Sequence, residues 1–168
     1  EAPTSKSVRF KWREHVTKTV SENGEALEKF CNALKDGNSE VVEQSLNNYL
    51  KRTISIRDTL VKKQMKENFY HGILLGILGF QQNWSVSSNK ESGDGYSDIL
   101  IETEDQETGI IIEIKYAETG NLEAVSEEAL KQIEDRRYEE QLLEEGVEHI
   151  LKYGIAFYKK KCKVMAVK

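Results

Sequence analysis

The chain has 168 residues, 38% hydrophobic and 32% charged, with a net charge of −5 and an isoelectric point near 5.4. At this length a fold buries roughly 70% of the surface its unfolded chain exposes, enough for one main core with an appendage. The acidic balance excludes the strongly basic footprint of a tight nonspecific nucleic-acid binder, and Cys31 and Cys162 lack the spacing of a disulfide framework or a zinc motif.

Residues 1 to 60 read as a helical section. Gly24 separates a polar first stretch from a helix over Ala26 to Leu34, whose Leu27, Phe30, Cys31 and Leu34 form an apolar stripe. The run Asp36-Gly37-Asn38-Ser39 breaks that helix and caps the next, Glu40 to Leu50, with Val42, Leu46, Tyr49 and Leu50 as its stripe. These helices are expected either to pack on the domain that follows or to connect it to a preceding one. The main domain takes residues 61 to 168. It opens with a helix from about Val61 to Phe80, apolar nearly all round, where Gly72, Gly76 and Gly79 allow close approach to a neighbour. Its apolar stretch is shorter than the roughly 20 residues a bilayer needs. With no leader peptide and no spanning segment in the sequence, a cytoplasmic protein without membrane association is expected.

Strands are predicted at Trp84 to Ser88, Tyr96 to Glu104 and Ile110 to Tyr116. The loop Ser92-Gly93-Asp94-Gly95 lacks nucleotide-cradle spacing and reads as a tight strand entry, with Lys90, Glu91 and Asp94 lining it. A helical stretch from Leu122 to Glu145 stops at Gly146. Ile150 to Tyr158 is a further strand, and a Lys159-Lys160-Lys161 turn leads to an edge strand ending at Val167.

An isoleucine-rich run such as Ile110-Ile111-Ile112-Glu113-Ile114-Lys115 lies inside a sheet, where charge is kept when it is paired, metal-bound or chemically useful. Alternation puts Glu113 and Lys115 on one strand face and Ile110, Ile112 and Ile114 on the other. Asp105 to Gly109 reads as a hairpin connection. With an even loop and no bulge, cross-strand partners sum to an odd number, which puts Asp98 on the face of Glu113 and leaves Ile99 and Ile101 facing the core. Directly opposed Cβ atoms lie only about 5 Å apart, so two carboxylates there can grip one divalent cation. Oxygen donors without nearby histidine or cysteine point to Mg²⁺ or Mn²⁺. Such an ion makes water more acidic and offsets transition-state charge, while Lys115 orients the water or steadies the developing anion. This is the layout of a phosphodiester-cleaving site.

At these residues the chain resembles the PD-(D/E)XK nuclease superfamily. Asp98 stands at the aspartate of the motif and Glu113-Ile114-Lys115 at E-x-K, although Ser97 replaces the proline. A closer resemblance covers most of residues 54 to 168. Asn68-Phe69-Tyr70-His71-Gly72-Ile73-Leu74-Leu75-Gly76, Ser88 to Gly95, Gln132-Ile133-Glu134 and Leu151-Lys152-Tyr153-Gly154-Ile155-Ala156-Phe157 are similar to the nuclease-like domain at the C-terminus of bacterial AAA-ATPase-like proteins. The resemblance implies a restriction-endonuclease-like α/β fold, an α-β-β-β-α-β core whose mixed sheet is flanked by helices, here with an N-terminal helical extension. It also implies that the Ile114 carbonyl joins Asp98 and Glu113 as a metal ligand, that Gln132 supports the attacking water or Lys115, and that Glu67 is an accessory acid on the first core helix. His71 shares a face with Glu67 and is a candidate for phosphate contact or for hydrogen-bonded packing. Tyr138 reaches the site if its helix bends and otherwise packs.

The combined expectation is an Mg²⁺- or Mn²⁺-dependent nuclease acting on DNA or RNA. The rivals are a non-cleaving nucleic-acid-binding or regulatory module of the same fold, and a structural interaction domain. The start at Glu1-Ala2-Pro3, without methionine, fits a segment of a longer polypeptide, and the resemblance implies an AAA-ATPase-like region ahead of it. Two lysine groups, Lys62, Lys63 and Lys66, and Lys159, Lys160, Lys161 and Lys163, are the local basic patches.

Overall fold

The structure, a computed structural model, describes residues 24–55, 63–90, 96–135 and 138–168; for Lys63, Gln64, Asn89, Lys90, Tyr96, Ser97, Asp98, Tyr138 and Gln141 it describes the backbone only. Lys62 and the loop from Glu91 to Gly95 therefore lie outside the described residues. Helices α1 (Gly24–Asp36), α2 (Ser39–Thr53) and α3 (Lys63–Leu78) precede strands β1 (Ser85–Lys90), β2 (Tyr96–Glu102) and β3 (Thr108–Tyr116). Helices α4 (Leu122–Asp135) and α5 (Tyr138–Glu144) follow, then β4 (His149–Tyr158) and β5 (Lys161–Val167). The helical stretch expected from Leu122 to Glu145 is thus two elements, and Gly146, at φ +94°, ends the second.

The five strands form one mixed sheet in the order β1-β2-β3-β4-β5. Only β3 and β4 run parallel, joined by the crossover through α4 and α5. One sheet face carries Ile99, Ile101, Ile110, Ile112 and Ile114 with Leu151, Tyr153, Ile155 and Phe157, and it packs on the apolar stripes of α1, α2 and α3 in a continuous core. The opposite face carries Leu100 and Ile111 and packs on Ile133, Leu142 and Val147. This is the α/β restriction-endonuclease-like architecture that the sequence predicts. Among the described residues no helix is long and apolar enough to cross a membrane.

The N-terminal helices do more than cover a face. In α1, Phe30, Ala33 and Leu34 recur at helical spacing and are buried, and Tyr153 anchors the helix end by donating its hydroxyl to Leu34 O at 2.7 Å. Gly37 then takes φ +76°, and Asn38 accepts the Val41 amide at 3.2 Å to start α2. From α2, Asn47 accepts the Cys162 amide at 2.8 Å and donates to its carbonyl at 3.1 Å, while Glu43 accepts the Val164 amide at 2.9 Å. Side chains thereby occupy edge groups of β5 that a further strand would otherwise pair.

The turn between β2 and β3 is held just as tightly. Thr103 N–H reaches Thr108 O at 3.0 Å, so the loop is residues 104–107, an even number, and the ladder extends past the strand start expected at Ile110. Asp105 accepts the Thr103 hydroxyl and the Glu107 and Thr108 amides at 2.7, 3.0 and 3.1 Å. Lys35 of α1 spans Glu104 and Asp105 at 2.8 and 2.7 Å. Trp84, expected in a strand, lies just before β1 because its buried indole N–H donates to Glu104 at 2.5 Å.

Two outcomes follow from these contacts. Asn47→Ala removes both of its edge bonds, and urea unfolding is expected to show a loss of about 1–3 kcal/mol. The Lys35 ammonium, then the Thr103 hydroxyl and the Glu107 amide, hold the Asp105 carboxyl well below the usual carboxylate range. A depressed carboxylate contributes stability above its unfolded value and loses it as pH falls, so the melting-temperature deficit of Lys35→Met should shrink on acidification below about pH 4.

Candidate active site

The even loop fixes the register of the central hairpin. Glu102 pairs with Gly109, Ile101 with Ile110, Ile99 with Ile112, and Asp98 with Glu113. Position 98 therefore shares the face of position 113, although the Asp98 side chain itself lies outside the described residues. The described β2–β3 ladder ends at that pair, and β2 continues with Tyr96 against Lys90 of β1, after a register shift between Asn89 and Lys90.

Glu113 is 1% exposed, and its Oε2 accepts no hydrogen bond among the described residues. An unsatisfied buried carboxylate oxygen costs at least about 1–3 kcal/mol, more when charged, so this atom is a seat for a proton or a cation. The burial has a cause in β4. Gly154 is the register partner of Glu113, and a Cβ added at Gly154 would meet the Ser126 carbonyl and sit 2.8 Å from Leu130 N. The backbone of α4 therefore lies directly on the sheet beside Glu113, an approach that only glycine permits.

Lys115 follows on the same face as Glu113. Its Nζ lies 3.2 Å from Glu128 Oε1 on α4, and it makes no ion pair with Glu113. Gln132 follows Glu128 by one helical turn, shares its face and is half-buried, with no hydrogen bond among the described residues.

The peptide groups of β3 alternate as well. Ala117 N–H bonds Phe157 O of β4 at 2.9 Å, whereas Tyr116 N–H turns the other way to Glu67 Oε1 at 3.0 Å. Ile114, two residues before Tyr116, presents its carbonyl on that same side, just past the last β2–β3 pair. Glu67 thus reaches the edge of the site next to Lys115, although α3 packs on the isoleucine face of the sheet.

His71 is placed differently. It is 4% exposed, with Nε2 3.1 Å from the hydroxyl of Ser88, whose register partner is the core residue Ile99. It lies with the isoleucine face and is not brought to Glu113. Tyr138 opens α5, and its side chain lies outside the described residues.

Two residues that sequence reasoning missed are Glu128 and Gly154. The spacing of Glu128 before Gln132 marks a shared helix face, but its pairing with Lys115 arises only once the crossover lays α4 over β3 and β4.

Among the described residues no group of three or more His, Cys, Asp or Glu side chains is gathered for a metal. The donors that are described nevertheless suit a hard divalent cation: a buried, unsatisfied carboxylate oxygen on Glu113 and a main-chain carbonyl at Ile114. A model of the PD-(D/E)XK nuclease superfamily matches residues 65–167, more than half of the chain. No curated protein matches it.

The close seat of α4 is open to a direct test. Gly154→Ala pushes the helix off the sheet, and chemical denaturation should show a loss of about 1–3 kcal/mol.

Proposed function

The chain belongs to the PD-(D/E)XK nuclease superfamily, and from that premise we propose that it hydrolyses DNA or RNA phosphodiester bonds with Mg²⁺ or Mn²⁺. The observation that carries this reading is the buried Oε2 of Glu113, without a donor among the described residues, in register with Asp98 and on the strand face of Lys115. Retaining an unsatisfied carboxylate in a core has no structural benefit, whereas a cation seat requires one.

In this reading Asp98, Glu113 and the Ile114 carbonyl hold the cation. When bound, the cation supplies Lewis acidity that makes water a better nucleophile and offsets charge on the phosphoryl oxygens. Lys115 steadies the developing anion or orients the attacking water, and Gln132 assists from α4. Glu67 is an accessory acid whose present contact fixes the end of β3. His71 is assigned a supporting, packing role through its contact with Ser88, and Tyr138 stays an accessory candidate.

Local charge supports a polyanionic substrate despite the net charge of −5. Beginning one residue past Lys115, Lys66 Nζ lies 4.5 Å from the centre of the Tyr116 ring, Tyr116 lies 6.0 Å from Tyr158, and Lys159 Nζ lies 5.0 Å from Tyr158. Glu118, 3.7 Å from Lys66, offsets part of that charge. Tyr116 is buried in the core, so what this series offers a nucleic acid is its ammonium groups, which suit phosphates. The reading further takes residues 1–60 as a helical extension of a 61–168 nuclease-like domain, and the chain as the C-terminal part of a cytoplasmic protein with an AAA-ATPase-like region.

Incubation with labelled DNA and RNA in Mn²⁺ or EDTA tests the reading. Cutting in Mn²⁺ alone is expected, with Asp98→Ala and Lys115→Ala lowering the rate by about 100-fold or more while circular dichroism stays unchanged. Binding without cutting by the unaltered chain would assign the fold to a regulatory module instead.

A further inference from the structure

Glu113 and Lys115 stand two residues apart on one strand face, within reach of a direct ion pair. They do not make one. Lys115 Nζ is 3.2 Å from Glu128, and Glu113 Oε2 is left buried without a donor among the described residues. The other lysine of this sheet face in β4, Lys152, is engaged by Glu139 at 2.6 Å, which leaves Lys115, among the described residues, as the ammonium best placed to satisfy Glu113.

We propose that Glu128 is a positioning residue: it draws Lys115 onto α4 and so keeps the Glu113 carboxylate open to a divalent cation. The inference rests on the metal-dependent reading above and adds to it a residue outside the E-x-K motif. The energetics favour a tether of this kind. The Glu128 side chain is 65% exposed, so holding Lys115 there desolvates little. Glu113 is already buried, and an ammonium moved onto it gains attraction but gives up its water, so the two placements compete and loss of the Glu128 charge tips Lys115 toward Glu113. Once released, Lys115 competes with the cation for the same oxygen. The close seat of α4 on Gly154 fixes the helix from which Glu128 acts.

Mn²⁺ titration calorimetry on the intact chain, without nucleic acid, tests this through a double-mutant cycle. Glu128→Gln is expected to weaken Mn²⁺ binding about fivefold, and Glu128→Asp to keep it within about twofold of the unaltered chain. In a Lys115→Met background the Glu128→Gln effect should fall below about twofold, because no ammonium remains to be released. An unchanged affinity in Glu128→Gln overturns the proposal. So does an equal loss in both backgrounds, which would report only a missing negative charge. The metal reading fails separately, and takes the proposal with it, if the unaltered chain binds no Mn²⁺ or if Glu113→Gln binds it equally well.

Discussion

Glu113 sits at the centre of the sheet, and its burial constrains everything around it. A carboxylate at 1% exposure with one oxygen lacking a donor among the described residues is costly, so the packing that keeps water from it has to be held firmly by its neighbours. The α4 backbone supplies that cover because Gly154 offers no side chain to keep it away. The isoleucines on the reverse face supply the anchor, since Ile112 and Ile114 on either side of Glu113 are locked into the larger core. Hydrophobic burial on one face thus holds an electrostatically unsatisfied group on the other.

The same logic explains why contacts far from Glu113 matter to it. Slipping the β2–β3 hairpin by one residue would move Asp98 to the isoleucine face. The bonds from Asp105 to Thr103, Glu107 and Thr108 oppose that slip, and Lys35 ties the loop to α1. At the opposite edge, Asn47 and Glu43 hold β5, and β5 in turn flanks the strand that carries Gly154. The helices of the N-terminal section are thereby built into the support of the sheet.

Much of this was legible in the sequence, for a specific reason. Strand alternation is a property of the backbone, so the charged face at 113 and 115 follows from counting residues. The register of Asp98 depended on an even connection, which the expected bounds of Asp105 to Gly109 did not give and the Thr103–Thr108 bond sets at four residues. The α1–α2 break was readable for the same reason, since Gly37 and Asn38 carry local conformational preferences. What escaped were contacts set by the three-dimensional crossover. Glu128 stands on a different element from Lys115, and its partner is chosen only when α4 settles over β3 and β4. Glu67 shows the same limit: the helix face it shares with His71 was evident, but only the divergence of β2 from β3 exposes the Tyr116 amide that it meets. Trp84 had strand propensity, yet a single hydrogen bond to Glu104 decided its place.

Charge distribution carries the last step. With 29 acidic and 24 basic residues, the chain presents no long-range attraction for a polyanion, so any nucleic acid must be held by contacts within a few ångströms. On the proposed reading those contacts include the ammonium groups of Lys66 and Lys159, near the end of β3 where β2 leaves it. A site of this kind gains affinity only when the substrate is already correctly placed. Negative charge concentrated at Asp98, Glu113, Glu67 and Glu128 then has two consequences of opposite sign: it repels phosphate while the site holds no cation, and it recruits the cation that reverses the repulsion. On the proposed reading that change of sign couples cation binding to substrate binding, and Lys115, held by Glu128 on the face of Glu113, carries the positive charge of the E-x-K motif into the same site.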